Sequence, residues 1–207
     1  MVTISEIRFI RSDVCLLLDT GEQFWIHRND LSTSGFYEGK SYILKSFLDQ
    51  ICSLQYPRAL NHAVYMLARR PCSKWEIRSR LKMRRYSDEV TDLVLLKLEK
   101  EKLIDDSAFC DQWIRFRSEQ GYGLSLIRRE LKIKGISEEI ISASLGIFDT
   151  DQEKENAVRA ARKAWNRCKP VMDARKVRQK IIISLVRKGY SWDDAKFACI
   201  RAEEEME

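Results

Sequence analysis

The sequence predicts a mainly α-helical protein, a tandem array of three three-helix repeats preceded by a small β-rich N-terminal domain. Three observations carry that reading. A fixed set of residues recurs three times beyond position 57, and the first fifty-odd residues show the short β-branched runs and turn signals of strands. Prolines and glycines number only three and eight in 207 residues, too few for a sandwich or barrel of many tight turns. At 44% apolar and 33% charged residues the composition is that of a globular chain, too hydrophobic for disorder. No apolar run approaches the roughly 20 residues that cross a bilayer. Met1 to Glu6 lacks the basic-then-apolar layout of a signal peptide, so a cytoplasmic protein is expected.

Taken in order, Val2–Ile10 and Val14–Asp19 read as strands. Thr20-Gly21-Glu22 then supplies a turn in which glycine accepts positive φ, and Gln23–His27 completes a strand–turn–strand signal. Ser41–Leu44 reads as a further strand. A short helix from Lys45 to about Leu54 is expected to stop before Pro57, where a new element starts. This sets residues 1–56 apart as the first domain.

From there the periodicity is helical. Ser73-x-x-Glu76 is a capping box, and Ser87 caps a following helix whose first turn carries Asp88 and Glu89. That helix is expected to turn Val90, Leu93, Val94 and Leu98 toward a core. The layout repeats as Ile77, Leu81, Arg84, Ser87; then Ile127, Leu131, Lys134, Ser137; then Ile181, Leu185, Lys188, Ser191. Ile and Leu four apart occur on any amphipathic helix. Three sets in one register, 50 and 54 residues apart and each closed by a base and a serine cap, mark a supersecondary repeat. The repeats are placed at 57–104, 105–150 and 151–207. Their first helices are expected near 58–70, 107–119 and 153–167, their second near 73–85, 124–134 and 173–188, and their third after the three serines.

Candidate chemistry is sparse. Six scattered cysteines, none in a CxxC pair, read as free thiols with no metal site. Asp105-Asp106 reads as a helix cap rather than an acid/base pair. Gly39-Lys40-Ser41 lacks the first glycine of a phosphate loop, because position 34 is serine. Gly121-Tyr122-Gly123 reads as a helix terminator and hinge. Trp75, Trp113, Trp165 and Trp192 are expected to pack in cores or between repeats rather than stack on bases.

Charge is more informative. The four segments carry −2, +6, −2 and +4, so the excess of +6 concentrates in the first and third repeats. On the second helix of the first repeat, Arg78, Lys82 and Arg85 fall on one stripe at i, i+4 and i+7, and Arg128 and Lys132 reproduce part of it in the second repeat. The third repeat puts Ile182 and Val186 there. Arg69, Arg70, Arg115 and Arg117 close the first helices, where they complement the negative helix end and offer planar forks to carboxylates or phosphates. These nine basic residues are the expected contacts with an acidic protein groove or phosphates.

Leu103-Ile104-Asp105-Asp106 followed by Phe109 resembles the signature of the RecX family, regulators of the RecA recombinase. Arg117, Gly121 and Ile127-x-x-Glu130-Leu131-x-x-Lys134-Gly135-Ile136 resemble the family's second block. Leu67-x-Arg69-x-x-Cys72-Ser73-x-x-Glu76-Ile77-x-x-x-Leu81 resembles its first block, and Arg187-Lys188-Gly189-Tyr190 its third. The resemblance spans about residues 57–200. It departs at Arg85, where the other two copies have glycine, and at Phe109-Cys110, in place of tyrosine–alanine. It implies an elongated, curved array of helical units lying in the groove of the RecA–DNA filament. Such a protein would restrain ATP hydrolysis and strand exchange in recombination, DNA repair and the SOS response, as a monomer, with no catalysis and no cofactor. Direct binding of single- or double-stranded DNA through helix-turn-helix-like units is the second reading.

Overall fold

A computed structural model describes residues 1–147, 150–167 and 174–205 and divides the chain into two compact units, Met1–Ile104 and Asp105–Glu207. The first unit begins with strands β1 (Val2–Ile10), β2 (Asp13–Leu18) and β3 (Gln23–His27), followed by helix α1 (Arg28–Ser34) and strand β4 (Ser41–Tyr42). The sheet is antiparallel in the order β3-β2-β1-β4, with a register shift between Ile4 and Glu6. Its apolar face (Val2, Ile4, Val14, Leu16, Leu18, Ile26) closes on Phe36, Phe47 and Ile51. Phe47 is fully buried and meets Phe24 edge-on at 5.2 Å. The short α1, absent from the sequence reading, is capped by the His27 ring, whose Nδ1 accepts from the Asn29 N–H, and ends at Gly35 with φ 68°.

Pro57 does not start a new element. Helix α2 runs from Leu44 to Arg69 straight through it. A proline inside a helix removes one hydrogen bond and costs about 3 kcal/mol. Here it sits on the exposed side, next to a stripe of Phe47, Ile51, Gln55, Ala59 and Ala63 buried every fourth residue. Phe47 and Ile51 belong to the sheet core, whereas Ala59 and Ala63 belong to the core of the first three helices, so both ends hold the helix across the weak point. Gln55 ties the two parts of this unit: its amide donates to the Trp25 carbonyl at 2.5 Å and its Oε1 accepts from the Ser87 N–H at 2.9 Å.

Helices α3 (Lys74–Met83) and α4 (Asp88–Lys100) complete this unit. The Ser73–Glu76 capping box is formed in both directions. Val90, Val94 and Leu98 are buried as expected. Leu93 is instead 41% exposed, and Thr91 and Leu95 take the inward positions, because the face of α4 that meets α2 and α3 is rotated slightly from the simple apolar count.

The second unit contains α5 (Asp106–Glu119), α6 (Leu124–Ile133), α7 (Glu138–Gly146), α8 (Thr150–Trp165), α9 (Ala174–Arg187) and α10 (Trp192–Glu204). Asp105 caps α5 by accepting from the Ser107 and Ala108 N–H groups. Two cores result, one around Ile127 and Leu131 and one around Ile181 and Leu185. Trp113 and Trp165 pack against these cores. Trp75 and Trp192 do not follow that expectation: both are about half exposed, at 49% and 50%, because each lies in the first turn of its helix on the outward side. The five described cysteines are free thiols; Cys168 lies outside the described residues, as does position 173.

The repeated spacing has a structural cause. All six Ile and Leu side chains are at most 1% exposed. Each burial is worth about 1.5–3 kcal/mol. Beyond each leucine the helix ends in a Schellman motif. The carbonyls of Leu81, Leu131 and Leu185 accept from the N–H groups of Tyr86, Ile136 and Tyr190, five residues on. Those of Lys82, Lys132 and Val186 accept from Arg85, Gly135 and Gly189. The last three residues are left-handed, at φ 64°, 74° and 95°. The serine two residues later then caps the third helix. Arginine at position 85 therefore adopts a conformation that costs a side-chain-bearing residue about 1–2 kcal/mol.

Within the second unit, two glycines bring α6 against the end of α9. The Gly123 N–H donates to the Lys188 carbonyl at 2.8 Å, and a Cβ on Gly123 would lie 2.5 Å from the carbonyl carbon and oxygen of Gly189. Backbone cannot retreat as a side-chain tip can. Gly123→Ala is expected to destabilise this unit by about 3 kcal/mol through overpacking. Gly146→Ala, where a Cβ meets nothing, should be near neutral. Paired denaturant titrations followed by circular dichroism measure both.

Candidate partner-binding surface

The basic stripe of the second helices forms, and it is paired within the chain. On α3, Arg78 reaches Asp92 at 2.5 Å and Lys82 reaches Asp88 at 2.9 Å, both in α4. On α6, Arg128 and Lys132 both meet Glu138 in the first turn of α7, the latter at 2.9 Å. Asp88 and Glu138, the acids next to Ser87 and Ser137, therefore do two jobs: they complement the positive helix end and hold the stripe. All these groups are substantially exposed, and such pairs contribute about 0–1 kcal/mol, so an outside carboxylate or phosphate can take the place of the internal acid at small cost. In the third repeat Ile182 is half-buried against its own core, and Val186 is exposed.

The other expected residues are placed unequally. Arg69 lies 5.8 Å from the Tyr65 ring, and Arg70 forks onto Glu76 with both contacts at 3.1 Å. Together with Met66, Trp75, Arg80 and Met83 they line a groove of about 530 Å³. Arg115 is exposed on α5. Arg117 faces inward: Glu130 holds it in a fork, Gln120 accepts from it at 2.7 Å, and its guanidinium stacks 3.7 Å over Tyr122. Arg117 is thus a packing residue of the second repeat. Arg85 rests 3.8 Å over the Trp25 ring, at the N-terminal sheet rather than on the stripe.

The base of each repeated set lies against a ring. Lys134 sits 4.2 Å over Trp113, and Lys188 lies 5.9 Å from Tyr122. Arg84 donates to His62 Nε2 at 3.2 Å, which leaves His62 Nδ1 as the protonated nitrogen that donates to the Tyr86 hydroxyl at 2.7 Å. Burial, then the neighbouring Arg84 and Arg58, push the His62 pKa below its ordinary value. Burial raises that of Tyr86. Sequence reasoning missed His62, Arg84 and Arg11, which share one cleft with Trp25 and Arg85; the tandem Arg84-Arg85 was the visible signal, but its companions come from distant segments.

Comparisons with known proteins agree with this architecture. Residues 59–98, 105–145 and 151–199 match the first, second and third three-helix domains of RecX. "Regulatory protein RecX" of Listeria innocua is 30% identical over 195 residues, covering 93% of this chain and 71% of that protein. Its namesake in Mycobacterium sp. strain JLS is 33% identical over 135 residues, covering 63% and 73%. A crystal structure of regulatory protein RecX shares the fold with a TM-score of 0.62 at 24% identity, over 96% of this chain and 98% of that one. RecX from Lactobacillus salivarius does so with 0.61 at 23% identity, over 72% and 96%.

The His62 arrangement has a pH consequence. A histidine whose folded pKa is depressed binds more protons unfolded than folded, so its contribution is complete above about 6.5 and is lost as pH falls through the folded pKa. Denaturant midpoints for the first unit are expected to drop between pH 7 and pH 5, and His62→Gln, which cannot charge, should flatten that drop.

Proposed function

This chain belongs to the RecX family, and on that footing we propose that it binds the RecA recombinase filament and restrains its ATPase and strand-exchange activities. The observation that carries this reading is the pair of exposed stripes, Arg78/Lys82 and Arg128/Lys132, repeated at one register on the second helices of two successive units. A repeated contact suits a partner that is itself a repeating array, since each unit can then meet a neighbouring protomer through the same chemistry. Arg69, Arg70 and Arg115 extend the proposed surface; Arg117 is left out of it because it is engaged inside the second repeat. Residues 57–104, 105–150 and 151–207 are taken as the three repeat units, of which the first two carry this proposed surface.

A protein groove of mixed sign is favoured over a bare phosphate backbone by the interleaved acids Asp88, Asp92 and Glu138. They lower the local positive potential that nonspecific DNA binding needs. As a regulator the chain works by occupying the filament rather than by chemistry, with no cofactor and as a monomer.

The test is the single-stranded-DNA-dependent ATPase of RecA, titrated with this protein in excess DNA. Half-maximal inhibition is expected below one chain per recombinase. Replacing Arg78, Lys82, Arg128 and Lys132 with alanine removes four exposed charge contacts of about 0.5 kcal/mol each, roughly 2 kcal/mol in all, which weakens inhibition about thirtyfold with helicity intact. Unchanged inhibition by a folded variant would move the interface off these stripes.

A further inference from the structure

Away from the stripes, the first unit holds a cleft of about 570 Å³ between the β1–β2 turn, the end of β3, the middle of α2 and the α3–α4 turn. Arg11, Arg58, Arg84 and Arg85 line it, with Asp13 as its lining carboxylate. Asp30 holds Arg58 in a fork with both contacts at 2.8 Å, which neutralises that one. Three cations against one anion remain. Among the described residues Arg84 is spent only on the neutral His62 ring. Arg85 stacks on Trp25, and a guanidinium stacked on an aromatic face keeps its N–H donors in its own plane, off the ring. The Tyr86 hydroxyl adds a polar group at the same wall.

The backbone points the same way. Among the described residues only Arg11, Arg85 and Lys102 adopt positive φ without being glycine. The first two, at φ 58° and 64°, both line this cleft. Position 85 is the left-handed site that Gly135 and Gly189 fill in the other repeats without strain. Two arginines held in a costly conformation at one cleft place charge where glycine would fold more easily, and backbone strain of this kind gathers at ligand sites. Planar donors converging around an excess of positive charge fit a tetrahedral oxyanion.

We propose that this cleft binds a phosphate group, carried by a free nucleotide or by one phosphodiester of a single DNA strand. The site is independent of the recombinase reading, since it is tested on the chain alone. The probe is a fluorescein-labelled five-residue thymidine oligonucleotide, followed by fluorescence anisotropy with the full chain. Binding is expected to weaken with added salt. Arg11→Gly combined with Arg84→Gln should weaken it at least tenfold, because glycine relieves the turn and glutamine keeps a donor for His62. Asp13→Asn should tighten it several-fold. Displacement at lower concentration by ATP than by unlabelled oligonucleotide identifies a free nucleotide as the source, and the reverse order identifies the strand. The proposal is overturned if the Arg11/Arg84 variant, folded by circular dichroism, binds like the parent, or if the parent does not bind the probe at millimolar concentration.

Discussion

A single left-handed residue between two helices governs each three-helix unit. The second helix has to stop and the third has to start within a few residues, and the Schellman bonds of Leu81, Leu131 and Leu185 meet that demand together with the serine caps. Because the turn is so short, the Ile–Leu pair ahead of it is delivered into the core at a fixed depth. In the second unit the same left-handed site does more: Gly189 has no side chain, so Gly123 can approach it backbone to backbone. At position 85 an arginine fills the site, and its stacking on Trp25 links the turn to the sheet. One position thus closes a repeat, docks α6 on the end of α9 and anchors the N-terminal sheet.

The sheet and the first three helices are joined more firmly than two linked domains. Helix α2 carries one buried stripe through both cores, and Gln55 at its midpoint bonds to β3 on one side and to the start of α4 on the other. The cleft of Arg11, Arg84 and Arg85 sits at this joint, so its geometry depends on that shared helix.

What was legible in the sequence was local. Capping chemistry and the apolar spacing act within a few residues, and the repeats follow from them. Pro57 misled because its local cost is real; only the two cores that flank it, invisible to a sliding window, outweigh that cost. Helix α1 is short, polar and capped by a histidine ring, which gives almost no periodic signal. Leu93, Trp75 and Trp192 show that helical periodicity locates a face but not how far the core reaches around it. The basic stripe was visible as a pattern, whereas its pairing with Asp88, Asp92 and Glu138 requires knowing which helix lies beside which.

On the proposed reading, a surface of exchangeable ion pairs suits reversible attachment to a filament: each contact would be weak, and repetition along the filament would supply the affinity. Co-sedimentation of the protein with preassembled RecA–single-stranded-DNA filaments, beside the same DNA without recombinase, tests this most directly. Retention on filaments at fewer than one chain per recombinase, at a salt concentration where the naked strand retains little, is the result expected of a filament-docking regulator. Equal retention on naked DNA, falling with the same salt slope, would contradict it and make the chain a nucleic-acid-binding protein instead.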